Sequence, residues 1–356
     1  MNKIQKLREK MKTSGLDAIL VFDEINCRYF SKFLYHDGAF LITEKDSHLL
    51  TDFRYYEAAI NSVNPTISVT KTKEREKYIK DVLHGCGAKT LGFVGKSVTY
   101  SEFEAMSKSY ADLKLTDVGD MIDTLRAIKE NDEILSIAKA QDIADKAFAA
   151  LLSKLEPSMT EIDVAAEIDY LLRRNGAEGS AFSTIAVSGE ASSLPHGVPR
   201  NVKLKRGFLT MDFGAIVNGY CSDMTRTVSI GCADSEMKKM YSTVLLAQQT
   251  ALDYLKEGVI ASDTDRVARD IIEGVPEYRD AFGHSLGHSV GLEVHELPSL
   301  SPKSKSTVLK KGNVVTVEPG IYLEGKYGCR IEDMVLIGEN GITNFTKSPK
   351  ELVEIY

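Results

Sequence analysis

Two pairs of acidic residues interrupt apolar, strand-like segments in the second half of the chain. The first pair, Asp212 and Asp223, flanks an Asn-Gly dipeptide at 218–219. Asn-Gly between two strand-like runs predicts a two-residue hairpin turn. In that register Asp212 lies opposite Thr225, so Asp212 and Asp223 share one face of the hairpin as diagonal neighbours. Two partly buried carboxylates this close repel each other unless cations lie between them.

The second pair is Glu318 and Glu332, which lie 14 residues apart in two further strand-like runs. They face each other on one side of a hairpin if the connecting loop has an odd number of residues. Between the two acidic pairs, three of the chain's seven histidines fall within twelve residues, at His284, His288 and His295. These side-chain types are metal ligands and proton-transfer groups.

The composition of this ligand set favours particular metal ions. Four carboxylates with an imidazole form an oxygen-rich set that suits Mn²⁺ or a similar ion better than a closed zinc site. Two divalent cations would neutralise the four negative charges. Two metals about 3.5–4 Å apart can activate a water molecule for hydrolysis, as in aminopeptidases.

Composition and charge exclude several other classes of protein. The chain has 356 residues, with 44 Lys and Arg against 51 Asp and Glu, a net charge of −7 and no basic block, so nucleic-acid binding is not expected. No apolar run approaches the ~20 residues of a membrane span, and the first residues are too charged for a secretory signal. Five scattered cysteines predict neither disulfides nor a thiolate zinc site. We expect a cytoplasmic protein without membrane partners.

Predicted secondary structure divides the chain into two regions. Up to about residue 110, short apolar strands alternate with helices, which predicts an α/β layer structure, and residues 113–123 read as a short strand and connector. Beyond them, long amphipathic helices at 130–154 and 235–256 each precede strands that carry one acidic pair. This arrangement of helices followed by an acidic hairpin, twice over, predicts a coarse internal repeat.

Five ordered motifs of the second region, together with two N-terminal segments, resemble the pita-bread metallopeptidases of the M24 type. The closest resemblance is to their Xaa-Pro branch, which comprises aminopeptidase P and prolidase. The N-terminal segments Asn26-Cys-Arg-Tyr29 and Thr51-Asp-Phe-Arg-Tyr55 resemble the creatinase-type domain of that branch. The five motifs are Ser188-Gly189 through Leu194-Pro-His196-Gly, Met211-Asp-Phe-Gly to Asp223-Met-Thr-Arg-Thr227, Gly287-His288-Ser-Val-Gly291 to His295-Glu-Leu-Pro298, Val317-Glu-Pro-Gly-Ile-Tyr322 and Arg330-Ile-Glu-Asp333.

The resemblance implies a fold and a set of metal ligands. The fold would be a creatinase-type α/β domain over residues 1–122, followed by an α+β pita-bread catalytic domain over 123–356 with a pseudo-twofold antiparallel sheet. Two divalent ions are implied, most often Mn²⁺, with Co²⁺ or Zn²⁺ as alternatives. One ion would be bound by Asp212, the other by His288 and Glu318, and both would be bridged by Asp223 and Glu332.

The remaining site residues also take their expected roles from the resemblance. Glu318 resembles the family's proton shuttle, and Arg330 resembles an arginine that fixes a bridging carboxylate or orients substrate. His196, His284 and His295 would lie near the metals or face the substrate, with His295 placed to stabilise the oxyanion. Ser289 departs from the family pattern, which usually has Gly after the ligand histidine, and this leaves the local backbone conformation open.

The resemblance implies hydrolysis of the bond between an N-terminal residue and a following proline, and a homodimer. We expect aminopeptidase P activity on peptides with proline at the second position. The alternative is a Xaa-Pro dipeptidase, or prolidase. A non-catalytic binding module on the same fold and a metal-free creatinase-type amidinohydrolase are both disfavoured, because relatives of those kinds lack metal ligands that this chain retains.

Overall fold

A computed structural model describes residues 2–356, which divide into two compact units. The first unit ends at Arg126 and the second is Ala127–Tyr356. The division therefore falls at the end of a helix, Met121–Arg126, that contains the expected boundary after residue 122. Residues expected to be a connector thus begin this helix.

The first unit is an α/β structure built on one six-stranded sheet. Its strand order is β4-β3-β2-β1-β5-β6, with parallel pairs at β1–β5, β5–β6 and β3–β4. The helices are α1 Lys3–Thr13, α2 Glu24–Ser31, α3 Phe53–Ser62, α4 Arg75–Gly85, α5 Tyr100–Ser109 and α6 Met121–Arg126. The strands are β1 Ala18–Val21, β2 Ala39–Thr43, β3 Ser47–Thr51, β4 Ser68–Lys71, β5 Thr90–Phe93 and β6 Lys114–Asp117.

The two central strands of this sheet, β1 and β2, are its most buried part. The residues of β1 and β2 are buried throughout, as expected for central strands with helices on both faces. Asn2 and Thr99 begin α1 and α5 with reciprocal capping boxes, so the ends of these helices are set locally by the sequence. The α/β layer structure predicted for this region is confirmed.

The second unit carries two main sheets, two two-stranded ribbons (β9–β10 and β15–β16) and four long helices. The helices are α7 Asn131–Leu152, α8 Glu161–Arg174, α9 Ser235–Tyr254 and α10 Ala261–Glu273. The strands are β7 Ile185–Ser188, β8 Gly207–Phe213, β9 Ile216–Val217, β10 Tyr220–Cys221, β11 Met224–Ile230, β12 Gly287–Ser289, β13 Glu296–Leu300, β14 Val314–Val317, β15 Gly320–Leu323, β16 Tyr327–Arg330, β17 Asp333–Gly338, β18 Gly341–Asn344 and β19 Glu354–Ile355. Short 3₁₀ turns lie at Gly189–Ser193 and Pro276–Tyr278 in this unit and at Gly95–Ser97 in the first.

Each sheet of the second unit has its own pair of covering helices. The first sheet, in the order β19-β11-β8-β7, shares a buried apolar core with α7 and α8. The second sheet, in the order β13-β12-β14-β17-β18, shares another with α9 and α10. Pairing is antiparallel throughout these two sheets except between β11 and β19. The repeat of two helices followed by an acidic hairpin is therefore seen in three dimensions.

No helix within residues 2–356 is long and apolar enough to cross a membrane.

Candidate active site

A cavity of about 550 Å³ in the second unit collects every site residue that the sequence predicts. Its size is that of a small-molecule site. The predicted residues that line it are Asp212, Asp223, His196, His284, His288, His295, Glu318, Arg330 and Glu332. They come from both sheets and from the loops between them, so folding brings together residues 136 positions apart in the chain.

The first hairpin places Asp212 and Asp223 at the cavity. β9 and β10 join through a two-residue turn at 218–219, whose residues have φ angles of 50° and 79°. Positive φ at both positions is what a type I′ turn requires, and Asn-Gly adopts it at low cost. The same register continues into β8 and β11, where Asp212 pairs with Thr225. The predicted hairpin and its register are confirmed.

The second hairpin places Glu318 and Glu332 opposite each other. Val317 pairs with Asp333 at the end of β14 and β17, so the next pair inward is Glu318 with Glu332. The ribbon β15–β16 continues this register and closes with a three-residue loop, 324–326. The sequence predicted that the two glutamates share a face if this loop has an odd number of residues. The loop has three residues, so that condition is met.

His288 lies between carboxylates from both hairpins. Ligand atoms of Asp223, His288 and Glu332 all lie within 4.8 Å of one another, an arrangement that could hold a metal ion. His288 Nε2 is 3.6 Å from Asp223 Oδ2 and 3.3 Å from Glu318 Oε1. Three of the five predicted metal ligands therefore form one compact group, and Glu318 contacts the histidine of that group.

Two carboxylates of the site have an oxygen without a protein partner. Asp212 Oδ1 and Glu332 Oε1 are buried and make no hydrogen bond among the described residues. Burial raises the pKa of Glu332 well above its usual value, and the charges of Glu318 and Asp212 raise it further. Burial raises the pKa of Asp223 in the same way, with Glu332 and Asp212 adding to it. A buried carboxylate oxygen without a partner is costly, and a bound cation would remove that cost. The donor set therefore fits divalent metal ions.

Glu318 and His288 stabilise each other's charge. Burial alone would raise the pKa of Glu318, but the contact with His288, supported by His284 and Arg330, lowers that pKa to about 2. Burial would likewise lower the pKa of His288, yet Glu318 and neighbouring Asp212 raise it. Glu318 also accepts a hydrogen bond from Thr316 Oγ1 at 3.1 Å, which fixes its orientation. Glu318 is thus ionised.

Arg330 connects Asp212 to a tyrosine and a histidine. Its Nη2 donates to Asp212 Oδ2 at 2.7 Å and its Nη1 donates to Tyr322 Oη at 2.7 Å. His284 Nε2 lies 2.9 Å from the same phenol oxygen, and His284 Nδ1 lies 2.9 Å from the carbonyl oxygen of Ser285. Because that carbonyl can only accept, Nδ1 carries the proton in the neutral ring and Nε2 accepts from Tyr322. Burial lowers the pKa of His284, which keeps the ring neutral.

Tyr322 was not predicted as a site residue, although it stands in one of the quoted motifs. The register of β15 and β16 pairs Gly320 with Arg330, so Tyr322 is a diagonal neighbour of Arg330 on the same face. Counting alternate positions from Glu318 would have placed Tyr322 on the face that carries the glutamates. The signal was therefore present in the sequence pattern.

Lys129 and Glu296 form a buried ion pair that contacts Ser289, the residue after His288. The sequence pattern did not predict this pair. Lys129 Nζ lies 3.1 Å from Glu296 Oε2, and the two side chains are 1% and 5% exposed. The same ammonium donates to Ser289 Oγ at 2.8 Å. Ser289 has no positive φ, so the position that departs from the family pattern does not need glycine here. Its hydroxyl instead gives the buried lysine a second partner.

The remaining two histidines of the site line the cavity beside apolar residues. The ring of His295 lies 4.1 Å from that of His288, centroid to centroid. Burial lowers the pKa of His295, and the neighbouring charge of His288 lowers it further. His196 is exposed in a loop whose residues 195–199 form part of the cavity wall, together with Phe182 and Val294.

Comparisons with known proteins agree with this architecture. Residues 136–339 match the sequence profile of metallopeptidase family M24, and residues 3–128 match that of the creatinase/prolidase N-terminal domain. The fold class predicted from the sequence is confirmed by these matches and by the solved structures that share it.

Relatives and solved structures cover the chain from end to end. A Xaa-Pro dipeptidase of Pyrococcus horikoshii is 40% identical over 99% of this chain and 98% of its own length. The structure of a Xaa-Pro dipeptidase from Bacillus anthracis has a TM-score of 0.95 at 38% identity, covering 99% of both chains. The structure of an X-Pro aminopeptidase from Thermotoga maritima has a TM-score of 0.91 at 36% identity, covering 100% of both chains.

Proposed function

This chain belongs to metallopeptidase family M24, in its Xaa-Pro branch, and we propose that it is a Xaa-Pro dipeptidase, a prolidase. Full-length relatives that carry the dipeptidase name support this proposal over the aminopeptidase P activity expected from the sequence. Aminopeptidase activity on longer peptides is the second candidate, favoured by the similarity to the Thermotoga maritima enzyme. In either case the substrate is a peptide with proline at its second position.

The observation that carries the hydrolytic proposal is a cluster of four carboxylates beside His288, two buried and two partly buried, which the chain's own cations neutralise only in part. We propose that two divalent ions are held by five residues, Asp212, Asp223, His288, Glu318 and Glu332. Mn²⁺ is the preferred ion, and Co²⁺ or Zn²⁺ are the alternatives. Support comes from the unpartnered oxygens on Asp212 and Glu332 and from the oxygen-rich donor set. When bound, such ions polarise the scissile carbonyl and lower the pKa of water enough to supply a nucleophile near neutral pH.

Glu318 is the proposed proton carrier. Its carboxylate lines the cavity, where it would take a proton from the attacking water, made more acidic by bound divalent ions, and return it to the proline nitrogen as the peptide bond breaks. His295, whose pKa is lowered by burial, is proposed to stabilise the oxyanion. His196 and His284 face the same space and are proposed to orient substrate.

Arg330 is proposed to act on the carboxylate set rather than on the reacting bond. It holds one oxygen of Asp212 and leaves the other available to a cation. Its pKa is well above the usual value because Tyr322 and Asp212 outweigh the effect of burial. Arg330 therefore keeps its charge at any working pH and fixes the direction of the Asp212 carboxylate.

An assay of matched substrates tests the proposal. Purified protein loaded with Mn²⁺ is given Ala-Pro, Ala-Pro-Ala and Ala-Ala, and the released amino acids are quantified. We expect cleavage of Ala-Pro alone. Cleavage of Ala-Pro-Ala would support the aminopeptidase reading, and an inert protein that binds no divalent metal would overturn the hydrolytic proposal.

Three further proposals concern organisation. We propose that residues 1–122 and 123–356 act as the creatinase-type and catalytic domains, that the protein is a homodimer, and that it works in the cytoplasm. The matches of 3–128 and 136–339 support the first. Sedimentation equilibrium checks the second, and fractionation of the source cells checks the third.

A further inference from the structure

One buried carboxylate holds both ends of the loop that carries His196. This loop runs from Ser188, the last residue of β7, to Arg200, and its residues 195–199 line the cavity. Glu161, the first residue of α8, is fully buried beneath it. We propose that Glu161 is a positioning residue for the peptidase reaction: it fixes this loop, and through it His196, at the cavity wall. The inference rests on the proposed function.

Each oxygen of Glu161 accepts hydrogen bonds from the loop ends. Oε1 accepts from Ser188 N and Ser188 Oγ, both at 2.8 Å, and from Arg200 Nη2 at 2.7 Å. Oε2 accepts from Arg200 Nε at 2.8 Å and from Arg200 N at 3.1 Å. The two-pronged contact with a guanidinium is the strongest form of carboxylate hydrogen bonding in proteins. A single side chain thus bonds both ends of the loop, in addition to the backbone bond from Ile162 N to Arg200 O at 3.3 Å and the pairing of Ser188 with Leu209 in the sheet.

The middle of the loop is weakly attached by comparison. Leu194 and Val198 are 56% and 77% exposed, and Gly197 N bonds within the loop, to Leu194 O at 3.1 Å. Arg330 Nη1 reaches the carbonyl oxygen of Pro195 at 3.3 Å. With so little packing between residues 194 and 199, the conformation of this wall depends on the attached segments that flank it, which are the ends held by Glu161 and the buried Ser192, whose Oγ accepts from Gly328 N at 3.0 Å.

A second acid of the same helix holds the neighbouring part of the cavity wall. Asp169 Oδ1 accepts from Ser180 Oγ at 2.8 Å and from Thr184 Oγ1 at 2.6 Å. These residues bracket Phe182, which lines the cavity, as do residues 183–185. Helix α8 therefore presents two carboxylates, and each orders one segment of the wall. This arrangement supports a role for Glu161 in shaping the site beyond its part in the core.

The substitution Glu161→Gln removes the charge and keeps the shape. Glutamine can still accept from Ser188, but its amide nitrogen faces the guanidinium of Arg200, so the loop loses its charged attachment at one end. Steady-state kinetics on Ala-Pro and hydrogen exchange of residues 189–200 are measured in the metal-loaded protein. We expect faster exchange in this segment and a KM raised about tenfold, the effect of losing roughly 1.4 kcal/mol of substrate binding, with a much smaller change in kcat.

A double-mutant cycle connects the effect to His196. If Glu161 acts through the loop, Glu161→Gln should raise KM less than about twofold in a His196→Ala background, because the two changes then remove the same contact. The matched control is Asp163→Asn, which removes a negative charge from the same helical turn while its amide oxygen can still accept from Thr160 N. That variant should be less stable and should leave the KM and the exchange of residues 189–200 unchanged.

The outcomes separate the possible failures. A folded Glu161→Gln protein with parental KM and exchange overturns the positioning role, and so does an equal effect of the substitution with and without His196. If Glu161→Gln does not fold, Arg200→Gln tests the same contact from the other side, since the Arg200 side chain is 43% exposed. A parent protein inert towards Ala-Pro defeats the proposed function, while the exchange measurement still decides whether Glu161 fixes the loop.

Discussion

Glu332 and Asp333 are neighbours in the chain and equally buried, yet their surroundings are opposite. Asp333 Oδ1 accepts a hydrogen bond from Arg226 Nη2 at 2.8 Å. Its Oδ2 accepts hydrogen bonds from Lys350 Nζ at 2.8 Å and from Asn344 Nδ2 at 2.7 Å. Burial raises the pKa of Asp333, but these cations outweigh it and the net pKa is lowered. Glu332 Oε2 accepts from Thr225 Oγ1 at 2.7 Å, its other oxygen has no partner, and its pKa is raised.

The difference identifies what each carboxylate is for. Successive residues of an extended chain point to opposite sides, so one faces Arg226 and the other faces the cavity. Asp333 is neutralised by the chain's own cations and belongs to the stability of the fold. Glu332 lacks such cations and is suited to one taken from solution. Arg330 and His288 compensate only part of the charge of the four clustered carboxylates, and under the proposed function this lowers stability when no metal is bound.

The largest expected effect concerns activity on the cavity side. Glu318→Ala removes both a proposed metal ligand and the proposed proton carrier, so turnover of Ala-Pro should fall by about 10³-fold or more. The protein should remain folded, because the change also removes one of four clustered negative charges. Kinetics and circular dichroism on the same preparation check this. Near-parental turnover in a folded variant would show that Glu318 does not carry the proton.

Separate substitutions of Asp333 and Glu332 test the difference between these two carboxylates through the free energy of unfolding, without any assay of activity. With chelator present, Asp333→Asn should lose about 3–5 kcal/mol of unfolding free energy, because Arg226 is left buried without its counter-charge. Glu332→Gln under the same conditions should lose little or become more stable, since it relieves repulsion from Glu318 and Asp212. Urea unfolding measures both. Equal losses in the two variants would mean that the two neighbouring carboxylates do not differ as described.

Metal removal should have an intermediate effect. Ions that bind the folded state stabilise it by about 2.7 kcal/mol at a hundredfold excess over Kd, so chelator should lower the melting temperature at neutral pH. Near pH 5 protonation of the ligands weakens metal binding, and the difference should shrink. Calorimetry with and without chelator at the two pH values checks this. An unchanged melting temperature at neutral pH, with metal analysis confirming removal, would contradict the proposed repulsion among these carboxylates.

Much of the site followed from the sequence because hairpin registers are local. The Asn-Gly turn set the pairing of Asp212 with Thr225, and an odd loop set Glu318 opposite Glu332. Alternation along the strands then placed all four carboxylates. The same rule would have found Tyr322, whose position on the glutamate face was overlooked.

Other residues could not be found this way, because their partners are distant in the chain. Lys129 meets Ser289 and Glu296 across more than 150 positions, and Arg226 meets Asp333 across 107. Neither the spacing nor the local pattern of these residues indicates the contact. A charged residue in an apolar segment signals burial, but its partner depends on how the sheets and loops come together.

The smallest effect concerns Glu161, which like Asp333 is a buried carboxylate bonded by a cation of the chain and is not one of the residues that line the cavity. Burial raises the pKa of Glu161, but Arg200 and Ser188 outweigh it and the net pKa lies below the usual 4.5. A carboxylate whose pKa is lower in the folded protein than in the unfolded chain stabilises the fold at pH values above the unfolded pKa. That contribution is lost as the pH falls through the folded pKa. At neutral pH the parent should exceed Glu161→Gln by about 1–2 kcal/mol of unfolding free energy, discounted because Arg200 is partly exposed. The gap should narrow as the pH falls from about 4.5, where residue 161 of the unfolded chain begins to take up a proton, towards the lower pKa of folded Glu161. Urea unfolding of both proteins in chelator, from pH 7 to pH 3, measures the gap without any contribution from bound metal. A gap that stays constant over this range would show that the charge of Glu161 contributes nothing to stability, and would remove it from the class of carboxylates that the chain neutralises with its own cations.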